Sequence, residues 1–538
     1  MKIVKIINQN SFLLIIIIFM GAFLRLYGLN WDQGLYLHPD ERLYVNASNI
    51  TLPHSISNFF SPNSPLNPKM FYYGSFPLFL YKVTNVIFLP KFSFLLASRL
   101  VSSIISILTI PIIFLIGRQL SSAKTGLIAS FVFAFSTGSI QYAHFNTTES
   151  SLVLFLSLIT YLSIKIVKEK NVFLFPIVGL LVGLSYATKI IGLTFVIIPL
   201  ISFVFINYPK LKIKKTLLWF SLFISAVVVS GFIFAPYQII DFQHFKAEQE
   251  YMQGVTYGKY KPPFIIIYEG TLPYIFQLVK ILPFTLGFVS LPLSLLGLTQ
   301  IIINLIKKEK KNFLYLFIFI FPLFYFAWAG VWYAKFSRYY ILLFPFLALW
   351  SAFFIQKAKK YILFFLLLLI GINGLMFLNI YKQPNTRLQA SLWIYDNIPK
   401  QNKILGEHWD DNLPFSVGTY TSSSFQISQL PVYNEDNSYK ISSLSEKVAN
   451  SDYFITSSRR VYFSILKNPN KYPFTSKFYK LLFEGKLGFT LVKKFTNYPF
   501  IFSDDFADES FQSYDHPPVL IFKNEKKTTA KEIEFLIQ

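Results

Sequence analysis

The chain has 538 residues, of which 53% are hydrophobic and only 14% charged, with a mean hydropathy of +0.47. Water-soluble domains carry roughly 25% charge, so this composition points to a chain built mostly of membrane-spanning helices. The absence of cysteine excludes disulfides, thiolate metal sites and thiol catalysis. The net charge of +23 is spread over short loops and the tail, which argues against a nucleic-acid binder.

Taken in chain order, the apolar blocks set out about eleven spans near the ~20 residues a bilayer core needs. They lie at 8–28, 95–117, 123–142, 149–167, 171–187, 190–207, 216–236, 281–306, 312–332, 339–356 and 360–380. The first, after Lys2 and Lys5, resembles a signal peptide. No small-residue cleavage site follows its apolar run, so it reads as an uncleaved helix.

The loops alternate in charge. One set holds Lys2 and Lys5; Arg118 and Lys124; Lys165, Lys168 and Lys170; Lys210, Lys212, Lys214 and Lys215; Lys307, Lys308, Lys310 and Lys311; Lys357, Lys359 and Lys360. The other set is mixed: Asp32, Asp40, Glu41 and Arg42; Glu149; then Asp241, Glu248, Glu250 and Glu269 against Lys246, Lys259 and Lys261. Basic loops face the cytoplasm, which assigns the first set and the N-terminus to that side. The apolar segment 71–90 would invert every later loop if it crossed. It is therefore expected to lie on the surface or to re-enter from the outer side. The odd span count then puts residues 381–538 outside.

The expected organisation is a mainly α, polytopic membrane domain over 1–380, with long outer loops at 30–94 and 237–280. An extracytoplasmic α/β domain follows over 381–538. In that tail, helix-like Leu388 to Ile398 precedes a strand at Lys403 to Gly406. Ser442 to Ala449 and Tyr453 to Thr456 repeat the order, as do Tyr479 to Phe483 and Phe489 to Phe495. Such alternation favours a parallel or mixed sheet.

Chemistry should then sit in the outer loops. His38-Pro39-Asp40-Glu41 places two adjacent carboxylates just past a helix mouth. They could serve as a general base or hold a divalent cation, or simply favour a helix N-terminus. Glu149 opens an almost purely apolar span, so it faces a cavity or partner, or caps the helix at the interface. Lys189, Lys335 and Arg338 are cations at outer helix mouths, against the topological trend. They suit phosphate oxygens, or they snorkel to lipid headgroups. Carboxylates and cations on one face would fit a buried phosphate ester with a reactive carbon beside a base, as in a polyprenyl-phosphate sugar. No Walker loop, dinucleotide fingerprint or nucleophile elbow is present to suggest a soluble nucleotide-sugar enzyme. A polyprenyl-lipid flippase or transporter would share the spans and cations. Transporters usually put ionisable groups near mid-membrane and often show repeats, neither of which is evident here.

The segments Arg25-Leu26-Tyr27-Gly28 and His38-Pro39-Asp40-Glu41 resemble the start of glycosyltransferase family 39. These are GT-C-fold membrane enzymes related to protein O-mannosyltransferases and lipid A aminoarabinose transferases. Further likeness runs through Tyr72-Tyr73-Gly74-Ser75-Phe76-Pro77-Leu78, His144-Phe145 with Glu149, Ala187-Thr188-Lys189 and Pro236-Tyr237 with Asp241. It continues through Tyr268-Glu269-Gly270-Thr271-Leu272-Pro273-Tyr274, Lys335-Phe336-Ser337-Arg338-Tyr339 and, in the tail, Glu407-His408-Trp409-Asp410-Asp411-Asn412-Leu413-Pro414 and Ala507-Asp508-Glu509-Ser510-Phe511 with Tyr514-Asp515-His516-Pro517. The resemblance implies a phospholipid-carrier-dependent transferase that moves a sugar from a polyprenyl-phosphate donor to an acceptor hydroxyl on a lipid, glycan or protein, with inversion. It implies Asp40 as catalytic base, with Glu41 and Glu149 as the accompanying acids. Glu149 stands where the family more often has Asp. Lys189, Lys335, Arg338 and Lys69 become donor-phosphate residues, and His144, Tyr268 and Tyr274 lie on the substrate side. In the tail, Glu407, His408, Asp410 and Asp411 either bind acceptor or metal, or pack the domain onto the outer loops.

Overall fold

The computed structural model describes residues 9–206, 213–307 and 312–538. Lys2, Lys5, Lys210, Lys212, Lys308, Lys310 and Lys311, and the extreme ends of the spans at 8 and 207, lie outside them. Among the described residues, seven helices are long and apolar enough to cross a membrane, and two bent helix pairs pass the same test together. In chain order the elements that matter begin with α1 (Gln9–Leu26), α2 (Pro39–Ala47), α3 (Ser75–Ile87) and α4 (Phe94–Leu120). The bent pair α5 (Ala123–Ala134) and α6 (Thr137–Ala143) follows, then α7 (Glu149–Glu169), α8 (Leu174–Thr188), α9 (Ile190–Ile206), α10 (Ile213–Phe234) and α11 (Phe242–Tyr257). The second bent pair is α12 (Gln277–Leu286) and α13 (Ser290–Ile306). Then come α14 (Asn312–Gly330), α15 (Ser337–Ile355) and α16 (Lys360–Phe377).

Two spans expected as straight are broken. The α5–α6 pair bends by 60°, where the Ser136 hydroxyl donates to the Phe133 carbonyl at 2.9 Å and closes the interrupted turn. The α12–α13 pair bends by 108° at Gly287, whose φ of +118° suits a residue without a Cβ. The segment expected not to cross forms α3, a helix of only 13 residues.

Lipid supplies no hydrophobic drive between helices, so close backbone approach at small residues does the work. A Cβ on Gly297 would lie 1.8 Å from the Trp350 carbonyl oxygen, which fixes α13 against α15. Gly183 similarly leaves room for Ser230 between α8 and α10. The basic loops meet at one end of the bundle. The Lys168 ammonium donates to the Gln119 carbonyl at 2.8 Å, and that of Lys124 to the Gln356 carbonyl at 2.5 Å. The mixed-charge loops meet at the other end, where the Asn146 N–H donates to Glu41 at 2.7 Å and the Tyr81 hydroxyl to the Thr147 carbonyl at 3.1 Å.

The tail holds α17 (Thr386–Asn397), β1 (Lys403–Glu407), β2 (Gln426–Leu430), α18 (Ser438–Ala449), β3 (Tyr453–Thr456), α19 (Arg460–Lys467), α20 (Pro473–Phe483), β4 (Phe489–Phe495), β5 (Val519–Asn524) and α21 (Ala530–Ile537). The sheet order is β2-β1-β3-β5-β4. It is mixed: β1 pairs in parallel with β2 and β3, whereas β5 pairs antiparallel with β3 and β4. Alternation along the strands feeds two cores. Leu405, Phe454 and Phe522 pack with α18, α20 and α21, while Ile404, Ile455 and Ile521 pack with α17. Between β4 and β5 the chain leaves the sheet, and Phe511 and Tyr514 enter the core of the helical bundle.

Candidate active site

Helix α2 opens the site. His38 caps it, its ring accepting from the Asp40 N–H at 3.2 Å, and Pro39 begins the first turn. Asp40 and Glu41 therefore do sit at a helix start. Successive helical residues point about 100° apart, so the two carboxylates face different partners. Glu41 turns inward to Arg99, whose guanidinium grips it at 2.6 and 2.8 Å and Asp32 at 2.8 and 3.0 Å. All three side chains are fully buried. Glu41 also accepts the Asn146 N–H, so both its oxygens are occupied. Removing one partner of a buried ion pair typically costs about 3–5 kcal/mol, and this cluster anchors α2 to α4. Glu41, expected beside the base as a catalytic acid, is a holder of the loop and lines neither cavity described below.

Asp40 turns the other way and pairs with Arg338. The same guanidinium lies 3.3 Å from the Tyr73 hydroxyl. The Lys189 ammonium sits 5.1 Å above the Tyr73 ring and 3.7 Å from Glu149. Two ion pairs, Asp40–Arg338 and Glu149–Lys189, thus flank Tyr73, each with its cation toward the ring. Burial pushes the Asp40 carboxyl up, but Arg338, with smaller help from His38 and Lys189, outweighs it and holds the group below its ordinary value. Burial and the nearby carboxylates push the Tyr73 phenol well above its own, so it stays protonated.

Two cavities meet at this row. The first, about 230 Å³, is lined by Glu149, Lys189, Tyr73 and Arg338, by Ile191 of the apolar helix α9 and by Leu342 of the spanning helix α15. The second, about 400 Å³, is lined by Asp40 and Arg338 on one side and by Trp409, Tyr433, Arg460 and Tyr514 of the tail on the other. Tyr72, Tyr73, Met252, Arg338 and Tyr339 belong to both.

The remaining expected residues lie elsewhere. Lys69 bonds Asp241 at 2.8 Å. The His144 ring spans the Ile140 and Tyr27 carbonyls at 2.8 and 2.9 Å and stacks on Tyr381. Lys335 is buried and donates to the Tyr333 carbonyl at 3.2 Å. Burial lowers its ammonium to about 8. The Tyr268 hydroxyl bonds Asp508 at 3.2 Å, and that of Tyr274 the Ala327 carbonyl at 2.9 Å. None of these five residues lines either cavity.

In the tail, Asp411 bridges Arg42 at 2.7 Å and Arg387 at 3.0 Å. Asp410 accepts from Ser458, and Glu407 from Tyr479. These acids tie the domain together and to α2. Among the described residues, no group of three or more His, Asp or Glu side chains is arranged to hold a metal ion.

Sequence reasoning overlooked Arg99, Tyr73 and Arg460. For Arg99 a signal existed, since an arginine inside an apolar span demands an acidic partner. Tyr73 and Arg460 take their places only through tertiary contacts.

Residues 77–234 match the family model described as dolichyl-phosphate-mannose-protein mannosyltransferase. No curated protein matches the chain. Among solved structures, the oligosaccharyltransferase of Archaeoglobus fulgidus in the apo form superposes with a TM-score of 0.50 at 12% identity, covering 87% of this chain and 72% of that one. ArnT from Cupriavidus metallidurans, bound to undecaprenyl phosphate, gives 0.43 at 12% identity over 97% and 99%. The Saccharomyces cerevisiae protein O-mannosyltransferase Pmt1-Pmt2 complex, bound to its sugar donor, gives 0.33 at 14% identity over 45% and 35%. Residues 77–234 thus resemble a membrane mannosyltransferase family, and the chain as a whole shares its fold with the Archaeoglobus fulgidus oligosaccharyltransferase.

Proposed function

We propose that this protein transfers a sugar from a polyprenyl-phosphate donor to an acceptor hydroxyl, with Asp40 as the base. The observation that carries the reading is the Asp40–Arg338 pair standing where the two cavities join. The first cavity is walled by spanning helices and holds Lys189 beside Arg338, which suits an isoprenoid tail leading to a phosphate. The second reaches into the tail domain and presents Asp40, which suits the acceptor.

In the proposed step, Asp40 takes the proton of the acceptor hydroxyl. The oxygen attacks the anomeric carbon from the side opposite the phosphate. The carbon–oxygen bond to the phosphate breaks, its electron pair leaves with polyprenyl phosphate, and configuration inverts. Arg338 and Lys189 stabilise the charge that grows on the leaving phosphate, as preorganised donors do at little reorganisation cost. Glu149 holds the Lys189 ammonium in place. Donor-phosphate roles for Lys69 and Lys335, and substrate roles for His144, Tyr268 and Tyr274, draw no support from their positions.

We place the site on the extracytoplasmic face, with the N-terminus cytoplasmic, because the Lys-rich loops gather at the opposite end of the bundle. The unit over 381–538 is then the extracytoplasmic domain. A flippase reading gains nothing from a carboxylate held beside the phosphate-binding cations at the mouth of an acceptor cavity.

The test is purified protein with a radiolabelled polyprenyl-phosphate hexose and a panel of acceptors. Asp40→Asn is expected to abolish transfer at unchanged expression. Turnover at the wild-type rate in that variant overturns the assignment.

A further inference from the structure

We infer that the second cavity takes an acceptor saccharide carrying its own oxyanion, a phosphate or a carboxylate, and that Arg460 binds that group. This rests on the proposed transfer reaction and names the chemistry of its acceptor.

Arg460 opens α19 and lines the cavity wall facing Asp40 and Arg338. Its Nε donates to Glu509 at 3.0 Å. Among the described residues, neither of its Nη atoms forms a hydrogen bond, although the side chain is only 17% exposed. Glu509 is buried and fixes the fork at one edge, leaving the other edge turned to the cavity. A planar guanidinium with two free N–H groups on one edge matches a carboxylate or phosphate bidentately. Interface struts usually spend those donors on protein carbonyls, as Arg459 beside it does with Asp505 and Ala507.

The rest of the wall is aromatic. Tyr514 lies under the guanidinium at 5.6 Å, and Tyr433 and Trp409 continue the surface. Trp409 is half exposed. Flat rings with a few directed polar groups suit the C–H face of a pyranose, and pockets of this make-up orient ligands through those few groups. Arg338 cannot fill the same role, because Asp40 already occupies it and the donor phosphate competes for it. The second cavity thus has a cation to spare for the acceptor.

The experiment measures equilibrium binding of hexyl glucoside, hexyl glucoside 6-phosphate, hexyl glucosiduronic acid, inorganic phosphate and a phosphoserine peptide to the full-length protein in nanodiscs. At least one anionic glycoside is expected to bind roughly tenfold or more tighter than the neutral one, given what a charged hydrogen bond contributes. The stronger of the two names the anion. Arg460→Gln should bring the ratio to about one. Because that change orphans Glu509, the double variant Arg460→Gln/Glu509→Gln is measured beside it and should give the same ratio.

A preference that survives both variants overturns the inference. So does tighter binding of inorganic phosphate or of the phosphopeptide than of either anionic glycoside. Binding needs no turnover. A protein that shows the Arg460-dependent preference but transfers no sugar therefore refutes the proposed reaction alone. One that transfers sugar with a preference indifferent to Arg460 refutes this inference alone.

Discussion

At the scale of single residues, the site depends on a contest over Asp40. Burial favours the neutral acid, and Arg338 together with His38, Lys189 and Tyr73 favours the carboxylate and prevails. A carboxyl depressed in this way stays ionised until the pH falls below the usual carboxylate range, so turnover should hold level between about pH 7 and pH 5. Without Arg338, only the smaller contributions of His38, Lys189 and Tyr73 oppose burial, and the carboxyl titrates higher. Residual turnover of Arg338→Gln should then decline inside that window, and a profile superimposable on wild type would refute the coupling. The sequence offered Asp40 and Glu41 as equals because adjacency is all it records. The turn of α2 separates them, sending one to Arg338 and the other to Arg99. In the same way Lys189 and Arg338 stood out as stray cations, whereas the ring of Tyr73 between them left no trace in the pattern.

At the scale of elements, α3 shows how a short helix can set the geometry of the proposed site. Its N-cap, Gly74, donates its N–H to the Thr188 carbonyl at 2.9 Å, and a Cβ there would stand 1.8 Å from the Ala187 carbonyl oxygen. That contact seats Tyr73 beside Lys189. Gly74→Ala should push α3 off α8 and lower turnover roughly tenfold to hundredfold, since small misplacements weigh heavily on positioned groups. Gly371→Ala meets Phe131 at an ordinary 3.4 Å and Phe135 at 4.0 Å and should leave turnover unchanged. Equal rates for the two variants would show that the seat is unimportant.

Most elements were legible because apolar length and alternation are local properties. Strands β3 and β4 fall at Tyr453–Thr456 and Phe489–Phe495, as expected. Strand β2, Gln426–Leu430, is a polar edge with weak alternation and was passed over. The breaks at Ser136 and Gly287 escaped notice because hydropathy measures apolarity and carries no direction.

At the scale of the whole molecule, the bundle and the tail are interlocked. Gln141 donates to the Phe511 carbonyl at 2.8 Å, the Ser337 N–H to Ser510 at 2.9 Å, and the Asp508 N–H to the Lys280 carbonyl at 2.9 Å. His516, held between Asp504 at 2.8 Å and Asp515 at 2.5 Å, is buried in the same joint. The two carboxylates outweigh burial and raise the imidazole to about 9, so it bears charge at neutral pH. A chain ending at residue 383 should insert in the membrane yet transfer no sugar and unfold at lower temperature than the full chain. Transfer at the full-length rate would show the tail to be dispensable. The change of composition near 381 marked where the sheet-forming part begins. The return of 504–517 into the bundle was invisible, because it is written in contacts between distant residues.

The sheet order adds a constraint on biogenesis. Strand β5 sits between β3 and β4 but follows both in the chain, and it comes just after the stretch that plugs into the head of the bundle. A ribosome therefore delivers the helices of the bundle long before the tail residues that wall the second cavity. Until residues 504–524 have been made, the mouth of the bundle stays open.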